Sequence, residues 1–299
     1  MKRLGLTVTE EDGGQTVLFL LTRRAGLSGR RIRSLKFRPE GLRLNGEKVR
    51  TDRRVQAGDR LEIEWTDAEE KPEKLLPAGT LPPVLYEDGE LIAVNKPAGL
   101  VCHPSGGHKT DSLANALRAY FDRTDPSARV HLIGRLDKDT SGLVLCAKNA
   151  AEAARLSQFR PEKTYLALAS GLFPGSGLSG RICLPLTPLP VPGTRLLRTA
   201  ESAGGKEAET FYRVLRQGKN RALLEVTIST GRMHQIRAHL AALGHPLLGD
   251  RLYGGPCGPG LPARALLHAA EMTFTPLSGE AVHLSAPLPD DLRRFLPPA

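Results

Sequence analysis

The chain has 299 residues, 40% of them hydrophobic, enough for a large domain accompanied by a small one. Its formal net charge of +10 favours a polyanionic partner, nucleic acid ahead of an anionic membrane. No apolar run approaches the roughly 20 residues of a membrane span, and the four cysteines contain no C-x-x-C pair, so a membrane protein, a zinc site and a disulfide scaffold are set aside.

Residues 1–66 read as a compact module. Glu10, Glu11 and Asp12 interrupt the start, so no signal-peptide pattern is present and a cytoplasmic home is expected. The apolar residues 17–21, continuing into Thr22, Arg23 and Arg24, predict a helix that Gly26 and Gly29 break. Ser28 is placed to cap a second helix over 30–37, with Ile32 and Leu35 inward and the arginines outward. Residues 42–49, with Asn45-Gly46 at their centre, predict a hairpin. Leu61 and Ile63 alternate with Glu62 and Glu64, as in a half-exposed strand. Residues 23–54 carry twelve Arg or Lys against three acids, a net +9, so nearly the whole charge lies in one segment suited to phosphates. Arg30, Arg31 and Arg33 are its candidate RNA contacts.

Residues 67–80 are charged, contain Pro and Gly, and predict a linker. The second module, 81–299, opens with a buried strand at 91–94 and a turn at 95–99. A helix capped by Thr110 or Asp111 follows to about residue 120, with Leu113, Ala116 and Leu117 on one face. Strands are expected at 142–148, 164–169, 208–215 and 222–229, and a helix from about 233 to 243. Strands in succession with irregularly spaced helices predict an α+β fold with a mixed, mainly antiparallel sheet.

Asp137 and Asp139 lie between an Arg135-Leu136 pair and a Thr140-Ser141-Gly142 turn, ahead of the apolar run 143–147. A carboxylate fixed there suits nucleophilic or acid/base work. Spacing alone leaves the two aspartates in competition, since Asp139 also suits a turn-capping role. Near residue 230, Met233, Ile236, Leu240 and Leu243 recur at helical spacing, and Arg237 flanks that stripe. A partly buried guanidinium wants a carboxylate; Asp137 is one candidate and another acid the alternative. Tyr165, on an otherwise small and aliphatic strand, is either a core tyrosine or a stacking platform for a base. Arg232 and His234 are candidate substrate contacts. No Walker A loop, H-E-x-x-H pair or dinucleotide fingerprint occurs, so no metal or cofactor is expected.

Five stretches taken in order, VNKPAGLVCHP (94–104), GRLDKDTSGLVLCAK (134–148), KTYLAL (163–168), TGRMHQIRAHLAALGHPLLGDRLYG (230–254) and LLHAAEMTF (266–274) ahead of SAPLPDD (285–291), resemble the RluA-type pseudouridine synthases. Residues 15–65 resemble the alpha-L RNA-binding domain of the small-subunit ribosomal protein type. The resemblance implies the pseudouridine synthase fold and conversion of uridine in RNA to pseudouridine. It implies Asp137 as the catalytic aspartate, Tyr165 packing on the target base, Arg237 paired with the aspartate, and Arg135 helping to displace the target nucleotide. Ribosomal RNA, ahead of transfer RNA, is the expected partner, no cofactor is required, and a monomer is expected. Gly134 and Met233 stand where the family commonly has His and Thr; neither change removes a catalytic group.

Overall fold

The computed structural model describes residues 2–27, 29–36, 38, 40–65, 75–188, 197–199, 205–277 and 279–298, without the side chains of Lys2, Arg30, Arg31, Ser34, Trp65, Ser176 and 197–199. In the amino-terminal part, β1 (Lys2–Thr7), β2 (Leu42–Leu44), β3 (Glu47–Lys48) and β4 (Arg60–Trp65) form an antiparallel sheet in the order β1-β4-β2-β3. Asn45 and Gly46 both have positive φ, 53° and 82°, as a two-residue hairpin demands. The local pattern does not reveal β1; its pairing with β4, Leu4 opposite Ile63, is a long-range event. The helix expected from residue 17 spans the expected stretch but is irregular. It comprises α1 (Val17–Phe19) and a π-helical turn, Leu20–Arg24. Thr16 caps it, and the Thr22 hydroxyl donates back to the carbonyls of Leu18 and Phe19, a competition that favours irregular turns.

Helix α2 (Gly29–Lys36) turns Ile32 and Leu35 inward as expected, onto Leu21, Leu42, Leu61 and Ile63. The same cluster includes Ala151 of α4 (Ala150–Gln158), so this unit is seated on the rest of the chain. Gly26, at φ +62°, makes the seat possible: a Cβ there would stand 2.5 Å from the Cα of Arg155. Of the predicted linker, residues 67–74 lie outside the described residues. Residues 75–80 are held in place by Asn115, whose side chain donates to the Leu76 carbonyl at 2.7 Å and whose carbonyl accepts from Ala78.

The larger sheet confirms the mixed, mainly antiparallel α+β architecture. Its ranges are β5 (Val84–Glu87), β6 (Leu91–Lys96), β7 (His131–Ile133), β8 (Ser141–Ala147), β9 (Glu162–Ser170) and β10 (Ser179–Ile182), then β13 (Thr210–Gly218), β14 (Arg221–Ile228), β15 (Leu267–Phe274) and β16 (Val282–Ser285). A separate two-stranded ribbon joins β11 (Leu186–Pro188) to β12 (Leu197–Thr199). The order of the larger sheet is β10-β13-β14-β9-β15-β8-β6-β5, with β16 also on β15 and β7 also on β8. Among the described pairings only β15 with β8 is parallel.

Strand alternation splits the interior into layers. Val144 and Cys146 face one core with Ile92, Val94 and the helix α3 (Leu113–Thr124) residues Leu113, Leu117 and Phe121. Leu143, Leu145 and Ala147 face the other, with Leu91, Ala93 and Leu156 of α4. Every residue of β8 is buried, which is why its sequence reads as an unbroken apolar run. Helix α3 is capped by Ser112, not Thr110 or Asp111. Ser112 and Asn115 form a reciprocal capping box, and Asn115 is fixed by its bond to Leu76. Two short helices remain, α5 (Gln235–Ala242) and α6 (Asp290–Arg293).

Candidate active site

The loop between β7 and β8 carries Asp137 and is tied down from several sides. Leu136 is buried, and its N–H and carbonyl both meet the Cys102 thiol, at 3.4 and 3.3 Å. The Thr140 N–H closes a turn onto the Asp137 carbonyl at 3.1 Å. The Lys138 carbonyl accepts from Gly99 N–H at 2.8 Å and from Lys96 Nζ at 3.1 Å. Lys96 is wholly buried, donates also to the carbonyls of Pro97 and Leu100, and has its pKa pushed down by burial to about 8. It therefore joins the 97–100 turn to the aspartate loop through their backbone carbonyls. Where the loop re-enters the sheet, Gly142 has φ +110°, and a Cβ there would lie 2.2 Å from the Ala269 carbonyl oxygen. No other residue type fits that approach.

Asp137 lines an open cleft of about 530 Å³; Asp139 does not, and its carbonyl is bound by Arg264. Of the two aspartates, the fold therefore places Asp137 at the cleft. The Asp137 side chain is 14% exposed, with two guanidinium groups and an imidazole around it. Arg135 Nη2 is 3.8 Å from Oδ1, Arg237 Nη1 is 3.8 Å from Oδ2, and His234 Nε2 is 4.0 Å from Oδ2. Among the described residues its carboxylate accepts no direct hydrogen bond, so both oxygens are available to a ligand in the cleft.

Arg237 does not take Asp137 as its main partner. Its Nε and Nη2 form a fork onto Asp250, each bond 2.7 Å long, and both residues are buried. The third nitrogen, Nη1, faces Asp137. Asp250 thus orients the guanidinium, and the guanidinium projects positive charge at Asp137 without closing on it. Tyr253 stacks under Arg237, 5.2 Å from guanidinium carbon to ring centroid, and its hydroxyl meets His234 Nδ1 at 3.2 Å. The apolar stripe of α5 is shorter than expected: Ile236 and Leu240 are buried, Met233 is half-buried before the first turn, and Leu243 is 42% exposed beyond the last.

The turn before α5 is braced by Gln235. Its Oε1 accepts from the Thr230 hydroxyl and the Arg232 N–H, and its Nε2 donates to the Glu209 carbonyl. His234 caps the helix in a left-handed conformation, φ 53°, a strained geometry for a non-glycine residue. Burial lowers the His234 pKa below 6.5, with the Asp137 charge opposing, so the imidazole is neutral at pH 7. Tyr165 lies on β9 between Val226 and Ala269, its ring buried against the side of the cleft. Burial, then the charge of Asp137, raises its phenol pKa far above the ordinary value, so the hydroxyl stays protonated.

The fold therefore gathers Arg135, Asp137, Tyr165, Arg232, His234 and Arg237 around one cleft. Arg232 lies at the rim, its Nε bound to the Glu207 carbonyl. Arg33 is exposed on α2 and does not line the cleft; the side chains of Arg30 and Arg31 fall outside the described residues. Asp250, Tyr253, Lys96 and Lys163 went unnoticed as site residues in the sequence. Asp250 and Tyr253 stand 13 and 16 residues beyond Arg237, and no local period links them to it.

An open cleft that sets Asp137 among arginines beside a buried aromatic wall suits an enzyme acting on an anionic, base-bearing substrate. The model of the RNA pseudouridylate synthase family matches residues 90–242. The chain is 34% identical over 310 aligned positions to ribosomal large subunit pseudouridine synthase D of Neisseria meningitidis serogroup A, covering 98% of this chain and 81% of that protein. It is 33% identical to YhcT, an uncharacterized RNA pseudouridine synthase of Bacillus subtilis, covering 98% and 96% of the two chains. The solved structure of human RNA pseudouridylate synthase domain containing 4 superposes with a TM-score of 0.56 at 25% identity, covering 70% of this chain and 90% of that one. The chain belongs to the RNA pseudouridine synthase family, RluA type, and is an isomerase acting on RNA.

Proposed function

We propose that this chain converts specific uridines of large-subunit ribosomal RNA to pseudouridine, with Asp137 as the catalytic carboxylate and without metal or organic cofactor. The observation that carries the reading is the Asp137 carboxylate, open to the cleft and ringed at 3.8–4.0 Å by Arg135, Arg237 and His234. The reaction breaks the bond from C1′ to N1 of uracil, turns the ring, and joins C1′ to C5. Atoms are conserved within one nucleotide, so no donor or redox partner is needed. A carboxylate can attack C1′ or remove the C2′ proton, and Arg135 and Arg237 place positive charge beside Asp137 in either role. Tyr165 offers a flat wall for the extruded uracil, as a base inside a helix must leave its stack to be reached. Arg135, half-exposed beside the aspartate, is placed to fill the space the base vacates.

The ribosomal target is supported by the name of the Neisseria relative. The amino-terminal unit, residues 1–66, is proposed as an alpha-L-type RNA-binding domain, supported by its basic segment and its Asn45-Gly46 hairpin. Arg30, Arg31 and Arg33 are proposed as its phosphate contacts.

The test is a pseudouridine map of ribosomal and transfer RNA from cells lacking this gene, complemented with wild type or with Asp137→Asn. A ribosomal site that disappears in the deletion and returns only with wild type supports the reading. Restoration by Asp137→Asn would overturn the role of the aspartate, and a site in transfer RNA alone would overturn the substrate. In vitro, modification is expected to persist undiminished in excess EDTA.

A further inference from the structure

Beyond Asp137 the cleft runs toward the start of β9, where Arg135, Arg160, Glu162 and Lys163 line it. Lys163 stands over Gly134: a Cβ built on that glycine would come within 3.8 Å of Lys163 Nζ. Among the described residues the Lys163 ammonium forms no hydrogen bond or ion pair. Glu162, its neighbour on the strand, is exposed at the edge of the cleft and forms no ion pair with Lys163. Half-buried Lys163 differs in this from several fully buried cations among the described residues. Lys96 meets three carbonyls, Lys148 meets Glu87 at 2.8 Å, Arg155 meets Glu152 at 2.7 Å, and Arg237 meets Asp250. Burial lowers the Lys163 pKa to about 8, which leaves the amine mostly protonated at pH 7. The ammonium thus lies half-buried in the cleft with no protein partner, beside two guanidinium groups, and an anionic ligand can supply the partner that the fold does not.

We propose that Lys163, flanked by Arg135 and Arg160, is a phosphate subsite that receives a backbone phosphate of the RNA beside the nucleotide entering the cleft. The inference rests on the RNA-modifying reading above. An ammonium on a flexible stem meets a phosphodiester as a point charge, whichever of its oxygens is presented. Arg135, only loosely held by Asp137, and the exposed Arg160 widen the positive field at the mouth of this arm.

The experiment measures binding of a short fluorescein-labelled oligouridylate to the full chain by anisotropy, over a series of salt concentrations. Wild type, Lys163→Met and Lys163→Arg are compared, with thermal unfolding alongside. Lys163→Met is expected to weaken binding roughly tenfold. It should also make the slope of log affinity against log salt shallower by about 1, the signature of one lost phosphate contact. Lys163→Arg should keep both. The unfolding midpoint of Lys163→Met should stay level, since the ammonium has no partner in the folded protein whose loss would destabilise it. Wild-type affinity and slope in Lys163→Met, or a lowered midpoint, would overturn the subsite. Tritium release by wild type from ribosomal RNA labelled at uridine C5 tests the enzymatic reading separately; its absence would leave the binding result standing.

Discussion

The side chains around Asp137 are arranged so that the aspartate is influenced without being bound. Asp250 makes that possible, because it occupies two of the three nitrogens of Arg237 and leaves one facing the cleft. Replacing Asp250 with Asn removes the charge that pairs with a buried guanidinium, at an expected cost of about 3–5 kcal/mol in urea unfolding. The freed guanidinium should also close on Asp137 and tie up its oxygens. We expect kcat to fall by about 10- to 100-fold with KM little changed, measured by tritium release from C5-labelled RNA. An unaltered kcat in a folded Asp250→Asn protein would refute this positioning role. Asp137 was singled out by its sequence neighbourhood together with the family resemblance, and the fold puts it at the cleft. The role of Asp250 could not, because Arg237 and Asp250 lie on different elements and meet only in the fold.

At the scale of elements, the site depends on where β8 meets β15. The two strands run parallel there, and Gly142 takes φ +110° against the Ala269 carbonyl. Gly142→Ala is expected to destabilise the protein by more than about 3 kcal/mol in urea unfolding, combining an unfavourable dihedral with a backbone clash. Gly107→Ala, at φ +85° with open space around it, serves as the control and should cost only about 1 kcal/mol. Equal losses in the two variants would show that the close approach is not what restricts position 142. The strand content of this region was legible because buried β8 and half-buried β9 carry period-2 or unbroken apolar patterns. Helix ends were less so: the cap of α3 is Ser112 because Asn115 is anchored by Leu76, 39 residues upstream.

Across the whole molecule, two histidines are buried in neutral form. His239 Nε2 donates to the Leu184 carbonyl while Nδ1 accepts from Thr210; His268 sits likewise between the Ala286 carbonyl and the Ser141 hydroxyl. Burial lowers both pKa values below 6.5. Between that ordinary value and the lowered one, the unfolded chain binds more protons than the folded chain, so stability must fall as pH drops below about 6.5. Asp291, whose carboxyl is lowered by its Arg264 partner against the opposing effect of burial, contributes stability that is lost only below 3.8, so it does not blur this window. Urea midpoints should therefore be lower at pH 5.5 than at pH 7.5, and His268→Gln should reduce the difference. A midpoint independent of pH over that range would contradict the neutral burial of these groups.

The sequence by itself determined the α+β class, the basic amino-terminal segment, the inward faces of α2 and β4, and a shortlist of site residues. These follow from local periodicity, turn chemistry and charge, all of which act over a few neighbouring positions. It also carried the family, through five stretches in order. Only the tertiary structure decided which aspartate faces the cleft, that Arg237 is held by Asp250, that β1 joins the small sheet, and that Gly26 seats that unit on α4. Each of these depends on contacts between residues far apart in the chain, and such contacts are set by how layers pack rather than by any local pattern.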